Sequence, residues 1–321
     1  MKRFFRTVLL AILVCALSTA FTPAAGLADQ ETLTASGGLL IPVGSDPTTG
    51  KQLIQMDGYY CHTVGLFSDG TVIAIGDNTD GECDVSEWTD IVSVAAGEYY
   101  TVGLKKDGTV ITAGKWYMDP REEKKDPDRR TWVAGWTDIT AVAAGPMGPV
   151  GLKSDGTVVA AGFEALKWKD IVKIDASSTH VIGLKSNGTV VAIGGEFGSL
   201  DVRNWKDIVD VAAGWNTTIG LKKDGSVVAV GYNANGACNT KGIKDVVAVS
   251  ASYHTTCLKA DGTVEMIGSN DWNQCDSSGW TGITAVSNML YSTLALKENG
   301  TVVASGRYDL HGQLDFSGWF N

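Results

Sequence analysis

Seven copies of one fifteen-residue template run through this chain, which confines it to folds that stack a single small unit many times. The copies are HTVGLFSDGTVIAIG from His62, YTVGLKKDGTVITAG from Tyr100, GPVGLKSDGTVVAAG from Gly148 and HVIGLKSNGTVVAIG from His180, then TTIGLKKDGSVVAVG from Thr217, HTTCLKADGTVEMIG from His254 and STLALKENGTVVASG from Ser292. Their turn glycines, Gly70, Gly108, Gly156, Gly188, Gly225, Gly262 and Gly300, are spaced by 38, 48, 32, 37, 37 and 38 residues. Each copy alternates apolar residues, passes through Asp-Gly or Asn-Gly and ends in a β-branched run. That order predicts a β-hairpin with positive φ at both turn residues.

A second block, Trp88-Thr-Asp-Ile-Val-Ser-Val-Ala-Ala-Gly, recurs from Trp136, Trp168, Trp205 and Trp280, with Ile243 in place of Trp in the remaining copy. It reads as a further strand ending in small residues, the kind that fits where blades converge on an axis. The polar loop between hairpin and Trp block, GDNTDGECDVSEW from Gly76, is expected to add a fourth, outer strand. Four strands in about 37 residues make one propeller blade, so the chain is read as an all-β, seven-bladed β-propeller. The seventh copy ends at Trp319-Phe320-Asn321 without a following strand, whereas Leu53-Ile54-Gln55-Met56 stands 38 residues before Ile91-Val92-Ser93-Val94. Pairing of N-terminal and C-terminal strands is therefore expected to close the ring and remove its open edge.

Composition agrees: 39 Gly, 10 Trp and 19% charged residues suit a turn-rich β protein and exclude a coiled coil. The one long apolar run, Val8 to Phe21, follows Lys2, Arg3 and Arg6 and precedes Gly26-Leu27-Ala28, the layout of a secretory signal peptide. At about 14 residues it is short for a span, which needs about 20. The expected organisation is residues 1–28 as signal peptide, 29–50 as a lead-in segment or tail, and 51–321 as propeller. Cleavage after Ala28 takes three basic residues from 26 and no acidic residue from 36, leaving a net charge of −13. Such a balance opposes nucleic-acid binding and suits a monomer that is secreted, extracellular or at the cell surface, with no membrane span after cleavage.

With these motifs in hand, the pattern resembles the regulator of chromosome condensation repeat family over roughly residues 51 to 321. The most specific marks are the H-T-x-x-L-K-x-D-G-T-V-x-x-x-G string and the loops GDNTDGEC, GYNANGAC and GRYDLHGQLD. The resemblance implies seven-bladed propellers. The family's eukaryotic namesake is a nucleotide-exchange factor for a nuclear GTPase. In its leader and in copies such as AAGEYYTVGL, this chain is more similar to a secreted bacterial branch that includes a propeller-type β-lactamase inhibitory protein, which binds its target with one face of the ring. Fold does not transfer a target.

Catalytic and metal patterns are weak. His62, His180 and His254 share one repeat position in separate blades, which is also the family's usual structural His, and His311 is read as a surface residue. Cys61, Cys83, Cys238, Cys257 and Cys275 are expected to be free thiols, with Cys83, Cys238 and Cys275 as small buried fillers of one repeated pocket. There is no CxxC, HExxH, GxSxG or P-loop, so no catalytic residue, metal ligand or cofactor is assigned. What varies between copies is the loop before each hairpin, where recognition is usually built on a fixed scaffold. Tyr59, Tyr60, Tyr99, Met147, Trp215, Tyr253 and Tyr291 stand there and are the candidate partner-binding residues. The expected function is a non-enzymatic, secreted protein-binding propeller. A glycan or cell-wall binder using the same rings, or a propeller hydrolase or lyase with axial acids, are the alternatives.

Overall fold

A computed structural model describes residues 50–115, 132–162 and 166–319, together with the backbone of three short strands at Thr32–Leu33, Leu39–Leu40 and Val43–Ser45. The expected signal peptide and the charged loop at 119–130 lie outside the described residues. The repeats fold as seven antiparallel sheets in chain order, each an inner strand followed by a hairpin. The inner strands are Gln52–Gly58, Ile91–Ala96, Ile139–Gly145, Ile171–Ala176, Ile208–Ala213, Val246–Ala251 and Ile283–Asn288. Each lies against the inner strands of its neighbours, and Ile283–Asn288 lies against Gln52–Gly58, so the ring is closed. The first blade carries one extra strand, Val43–Ser45, paired to its inner strand.

Two expectations need correction. No fourth, outer strand occurs among the described residues: each blade has an inner strand and a hairpin, the first with Val43–Ser45 added on the inner side, and the described polar loops fold on themselves. In four of the loops an Asn or Asp side chain closes the turn by accepting from a backbone N–H five residues on, as Asn78 does from Cys83 (2.8 Å), Asn233 from Cys238 (2.8 Å), Asn270 from Cys275 (2.9 Å) and Asp309 from Leu314 (2.9 Å). Such local bonds compete with strand pairing for the backbone. The hairpin turns also differ from the two-residue type. Gly70 has φ 81°, but Asp69 stays at negative φ and accepts from Thr71 N–H (3.1 Å) and Oγ1 (2.6 Å). Positive φ falls instead on the Trp-block aspartates, Asp90 at 59°, Asp138 at 61° and Asp207 at 58°, with Gly282 taking that place in the seventh blade at 64°. Asp tolerates this region because its short polar side chain adds little steric cost.

Seven apolar clusters fill the seven gaps between blades. At the centre of most is one contact: the Trp that ends a loop covers the glycine in the middle strand of the next blade. A Cβ on Gly103 would stand 2.6 Å from the Trp88 ring, on Gly151 3.1 Å from Trp136, on Gly183 3.0 Å from Trp168 and on Gly220 2.6 Å from Trp205. The cyclic equivalent is Trp319, 2.5 Å from a Cβ on Gly65. The ends of the chain are thus joined by the same packing as every other pair of blades. No strand ladder links them among the described residues; Leu53, Met56 and Phe67 of the first blade share a core with Leu294, Leu296 and Trp319 of the last. Two junctions differ: in the seventh blade Ala295 takes the place of the glycine and Trp280 still packs on that cluster, whereas in the sixth Ile243 replaces the Trp and packs in one cluster with fully buried Cys257.

That exchange predicts a compensating pair. Ile243→Trp alone overpacks against the Cys257 side chain, and Cys257→Gly alone leaves a cavity, so each should lower the melting temperature by the equivalent of about 1–3 kcal/mol. The double variant should recover at least about 1 kcal/mol relative to the sum of the singles, as a double-mutant cycle of thermal or denaturant melts would measure. Additive losses would show that the two positions do not share a volume constraint.

Candidate functional site

Each inner strand ends at one mouth of the ring, where the chain turns into the middle strand, and each outer strand returns to the same mouth before its polar loop. Two sets of loops therefore meet on one face. Recognition was expected from the first set, and the structure brings four of its residues together: Tyr60, Trp215, Tyr253 and Tyr291. Trp215 and Tyr253 have ring centroids 4.8 Å apart, and Tyr253 stacks on Tyr291 at 5.6 Å. Tyr60 lies edge-on to Tyr291 at 6.2 Å.

The second loop set supplies four more rings that sequence reasoning missed. Tyr308 sits 4.9 Å from Tyr291 and 5.8 Å from Tyr60, Trp272 sits 5.7 Å from Tyr308, and Tyr232 joins Trp215 (5.8 Å) to Phe197 (5.5 Å). Eight rings form one unbroken arc from the fourth blade, across the closure, to the first. Phe197 is 59% exposed and Trp272 44% exposed, and the remaining six are half-buried. The signal for them was present: Tyr232, Trp272 and Tyr308 stand in the polar loops at places where the first loop has Asp77 and Asp80. The Tyr308 hydroxyl donates to that of Tyr60 (3.2 Å), and this bond raises the Tyr308 phenol above its ordinary value, so the ring stays neutral.

Three candidates lie elsewhere. Tyr59 reaches across the axis, donating its hydroxyl to Ser178 Oγ of the fourth blade, and it borders both the axial cavity and a recess at the mouth. It is a plug. Tyr99 lines that recess with Glu98, Pro146 and Ser178, and Met147 packs on Gly162.

Below Tyr59 the axis is polar. Inner strands at the axis have no sheet partner on one side, and neighbouring side chains supply what the ladder lacks. Gln55 accepts from Val94 N–H (3.0 Å) and donates to its carbonyl (2.8 Å); Asp57 accepts from Ala96 N–H (3.0 Å) and from Ser287 Oγ (2.8 Å) across the closure; Asp175 accepts from Ala213 N–H (2.8 Å). Lys173 and Asp210 form a buried ion pair in the same belt. Burial pushes Asp57 up to about 6 and Asp175 up to about 7 despite those hydrogen bonds.

The histidines also join blades. His62 Nε2 lies 2.9 Å from Thr101 Oγ1, which donates to the Glu82 carbonyl (2.8 Å); His180 meets Thr218, and His254 meets Thr293, in the same way. Because each Thr hydroxyl donates to a carbonyl, it accepts from Nε2–H, which sets the Nε2-protonated tautomer of the neutral ring. Burial lowers His62 and His180 to about 4 and His254 to about 3. All five cysteines are free thiols. Cys83, Cys238 and Cys275 are half-buried rather than buried, because each points its Sγ at the carbonyl six residues back, as Cys83 does to Asp77 (3.0 Å).

Residues 208–237 match the family described as "Regulator of chromosome condensation (RCC1) repeat". Among solved structures, the ectodomain of the Physcomitrella patens receptor kinase CR4 is similar with a TM-score of 0.62 and 16% identity, over 78% of this chain and 73% of that one. The CRINKLY WD40 ectodomain of the Arabidopsis thaliana receptor kinase ACR4 is similar with a TM-score of 0.59 and 17% identity, over 78% and 93%. Prp20p from Saccharomyces cerevisiae aligns with a TM-score of 0.47 and 17% identity, over 79% and 72%. At these identities the likeness is one of fold. No curated protein matched the sequence.

The buried titratable groups give an opposed pH response. Asp57 and Asp175 are raised from 3.8, so the stability they contribute is present at acid pH and is lost as pH rises through about 6 to 7. The three histidines are lowered from 6.5, so their contribution is present above that value and is lost as pH falls through about 4. Melting curves between pH 7.5 and 4.5 should therefore fall more steeply for the double variant Asp57→Asn, Asp175→Asn than for the parent. Parallel curves would mean that the axial carboxylates take up no proton in the fold.

Proposed function

Because the chain is a propeller of regulator of chromosome condensation repeats, we propose that it is a secreted, non-enzymatic module that binds a partner protein through the aromatic face of the ring. The arc of eight contacting rings is the observation that carries this reading. Aromatic side chains bring large contact area at low entropic cost, and Tyr and Trp dominate the energetics of protein interfaces. Two exposed rings, Phe197 at one end of the arc and Trp272 beside Tyr291 and Tyr308, with the half-buried rings give a surface already ordered before a partner arrives. Preorganisation lowers the cost of association.

The axial acids support a structural role rather than hydrolysis. Asp57 and Asp175 both spend an oxygen on a backbone N–H of the next blade, and Tyr59 stands over the cavity they line. The leader-like segment and the acidic charge support an extracellular or cell-surface partner.

Replacing Trp215 and Tyr253 by Ala should weaken capture of the partner at least tenfold, since anchors of this kind carry about 2 kcal/mol or more each. The comparison is an affinity pull-down from cell-surface material with parent and double variant side by side, each checked for an intact cooperative melt. A protein retained by the parent and lost with the folded variant supports the reading. Equal capture by both would move the binding face elsewhere, and retention of a polysaccharide instead of a protein would favour the glycan alternative.

A further inference from the structure

At the ring closure the two ends of the repeat array bring together three metal-ligating side chains that no sequence spacing groups. Cys61 stands immediately before the middle strand of the first blade, Asp77 just after its outer strand, and the Asp77 N–H donates to the Cys61 carbonyl (2.9 Å), which fixes the two side by side. His311 comes from the last polar loop, 234 residues beyond Asp77 in sequence, with its Nδ1 3.9 Å from Asp77 Oδ2. One ligand atom from each of the three lies within 4.8 Å of the others. We propose that Cys61, Asp77 and His311 form a binding site for one zinc-class divalent cation that clasps the last loop to the first blade.

The donor set is the argument. Sulfur, imidazole nitrogen and carboxylate oxygen are the ligands that zinc takes, and a tetrahedral ion at about 2.0–2.3 Å from each would hold them roughly 3.3–3.8 Å apart. Contraction by about 1 Å is needed, and His311, exposed on its loop, can supply it by side-chain rotation. Asp77 is already oriented: its Oδ1 accepts from Thr79 N–H (3.1 Å) and Oγ1 (2.6 Å), which leaves Oδ2 toward His311. Outer hydrogen bonds of this kind hold metal ligands in place. A thiolate and a carboxylate around a dication give a site of zero net charge, with the fourth position left to water.

Position in the repeat explains why this occurs once. The contact between a polar loop and the end of the next outer strand recurs around the ring, as Asp80 with Lys115 (3.3 Å), Phe197 with Tyr232, and Trp272 with Tyr308. Only at the closure does it pair an acid with a His, beside the one Cys at its place in the seven copies. Burial and Asp77 push the Cys61 thiol up to about 12, so the apo side chain is S–H at neutral pH. Binding therefore forms an S–metal bond, breaks the S–H bond and releases one proton to solvent.

The full chain, stripped with a chelator, would be titrated with Co²⁺ and then Zn²⁺. One equivalent of Co²⁺ should produce a thiolate charge-transfer band and visible bands of tetrahedral Co²⁺, Zn²⁺ should displace it with release of one proton on forming from the apo protein, and the melting temperature should rise with Zn²⁺. His311→Ala removes an exposed side chain, so the apo melt should stay as in the parent while affinity falls at least tenfold. Cys61→Ser should abolish the charge-transfer band. Absence of that band in the parent, or unchanged affinity in folded His311→Ala, overturns the proposal. The outcome is independent of partner capture, so the two readings fail separately.

Discussion

Everything in this ring depends on a Trp side chain pressed flat against a residue that has almost none. In five of the seven blades a glycine at the middle lets the indole of the preceding loop come as close as the backbone itself, and the indole then fills the wedge between two twisted sheets. The contact is non-local in a restricted sense, spanning 15 residues at four blade junctions and 254 residues at the closure. Cavity costs for a missing indole are about 3–5 kcal/mol. One such loss at the closure would leave the first and last blades in contact only through their remaining apolar side chains and a few hydrogen bonds, such as Thr63 Oγ1 to the Gln313 carbonyl (2.8 Å).

The second constraint is the inner edge. Seven strands converge on the axis with one side of the ladder unpaired, the start of the first blade's strand excepted, and the structure answers chiefly with side chains from adjacent blades. Asp57 links three blades in this way, accepting from the second and the seventh while belonging to the first. The small residues of the Trp block leave room for these bonds. A buried carboxylate held by N–H groups stays hydrogen-bonded in either protonation state, which explains how acidic side chains persist at the buried axis.

The periodic template made the blade number, the blade boundaries and the structural role of the histidines and turn aspartates readable from sequence, because repetition itself distinguishes scaffold from site. The polar loops were misread as strands. Their apolar residues, Val85 for example, face the core from a turn held by Asn78, and hydrophobic pattern alone does not separate these two states. Closure was legible in part: strand alignment at the two termini suggested a ladder, and what joins the ends among the described residues is the packing of Trp319, readable in its match to Trp88. Half of the aromatic arc was legible as variable residues before each hairpin. The other half belonged to loops whose alignment shows Asp77 and Tyr308 at one place, and only the strand directions reveal that both loop sets open on the same mouth.

The two faces of the ring are therefore under different physical rules. At the hairpin face, Asp69, Asp107 and their equivalents repeat one hydrogen-bonded turn, so any change there costs stability in every copy alike. At the opposite face, the residues are free to differ where a local hydrogen-bonded turn such as the Asn or Asp cap of four loops holds the backbone, and the chain has used that freedom unevenly. Aromatic rings gather on blades four to seven and the first, whereas Asp77, Asp80, Glu82 and Glu98 gather around the first and second. The closure lies between these two sectors, with His311 facing the acids and Tyr308, three residues away, completing the arc on Tyr60. Movement of that single loop would open the ring junction and break the aromatic surface together, so the stability of the closure and the continuity of the aromatic arc are set by the same few contacts.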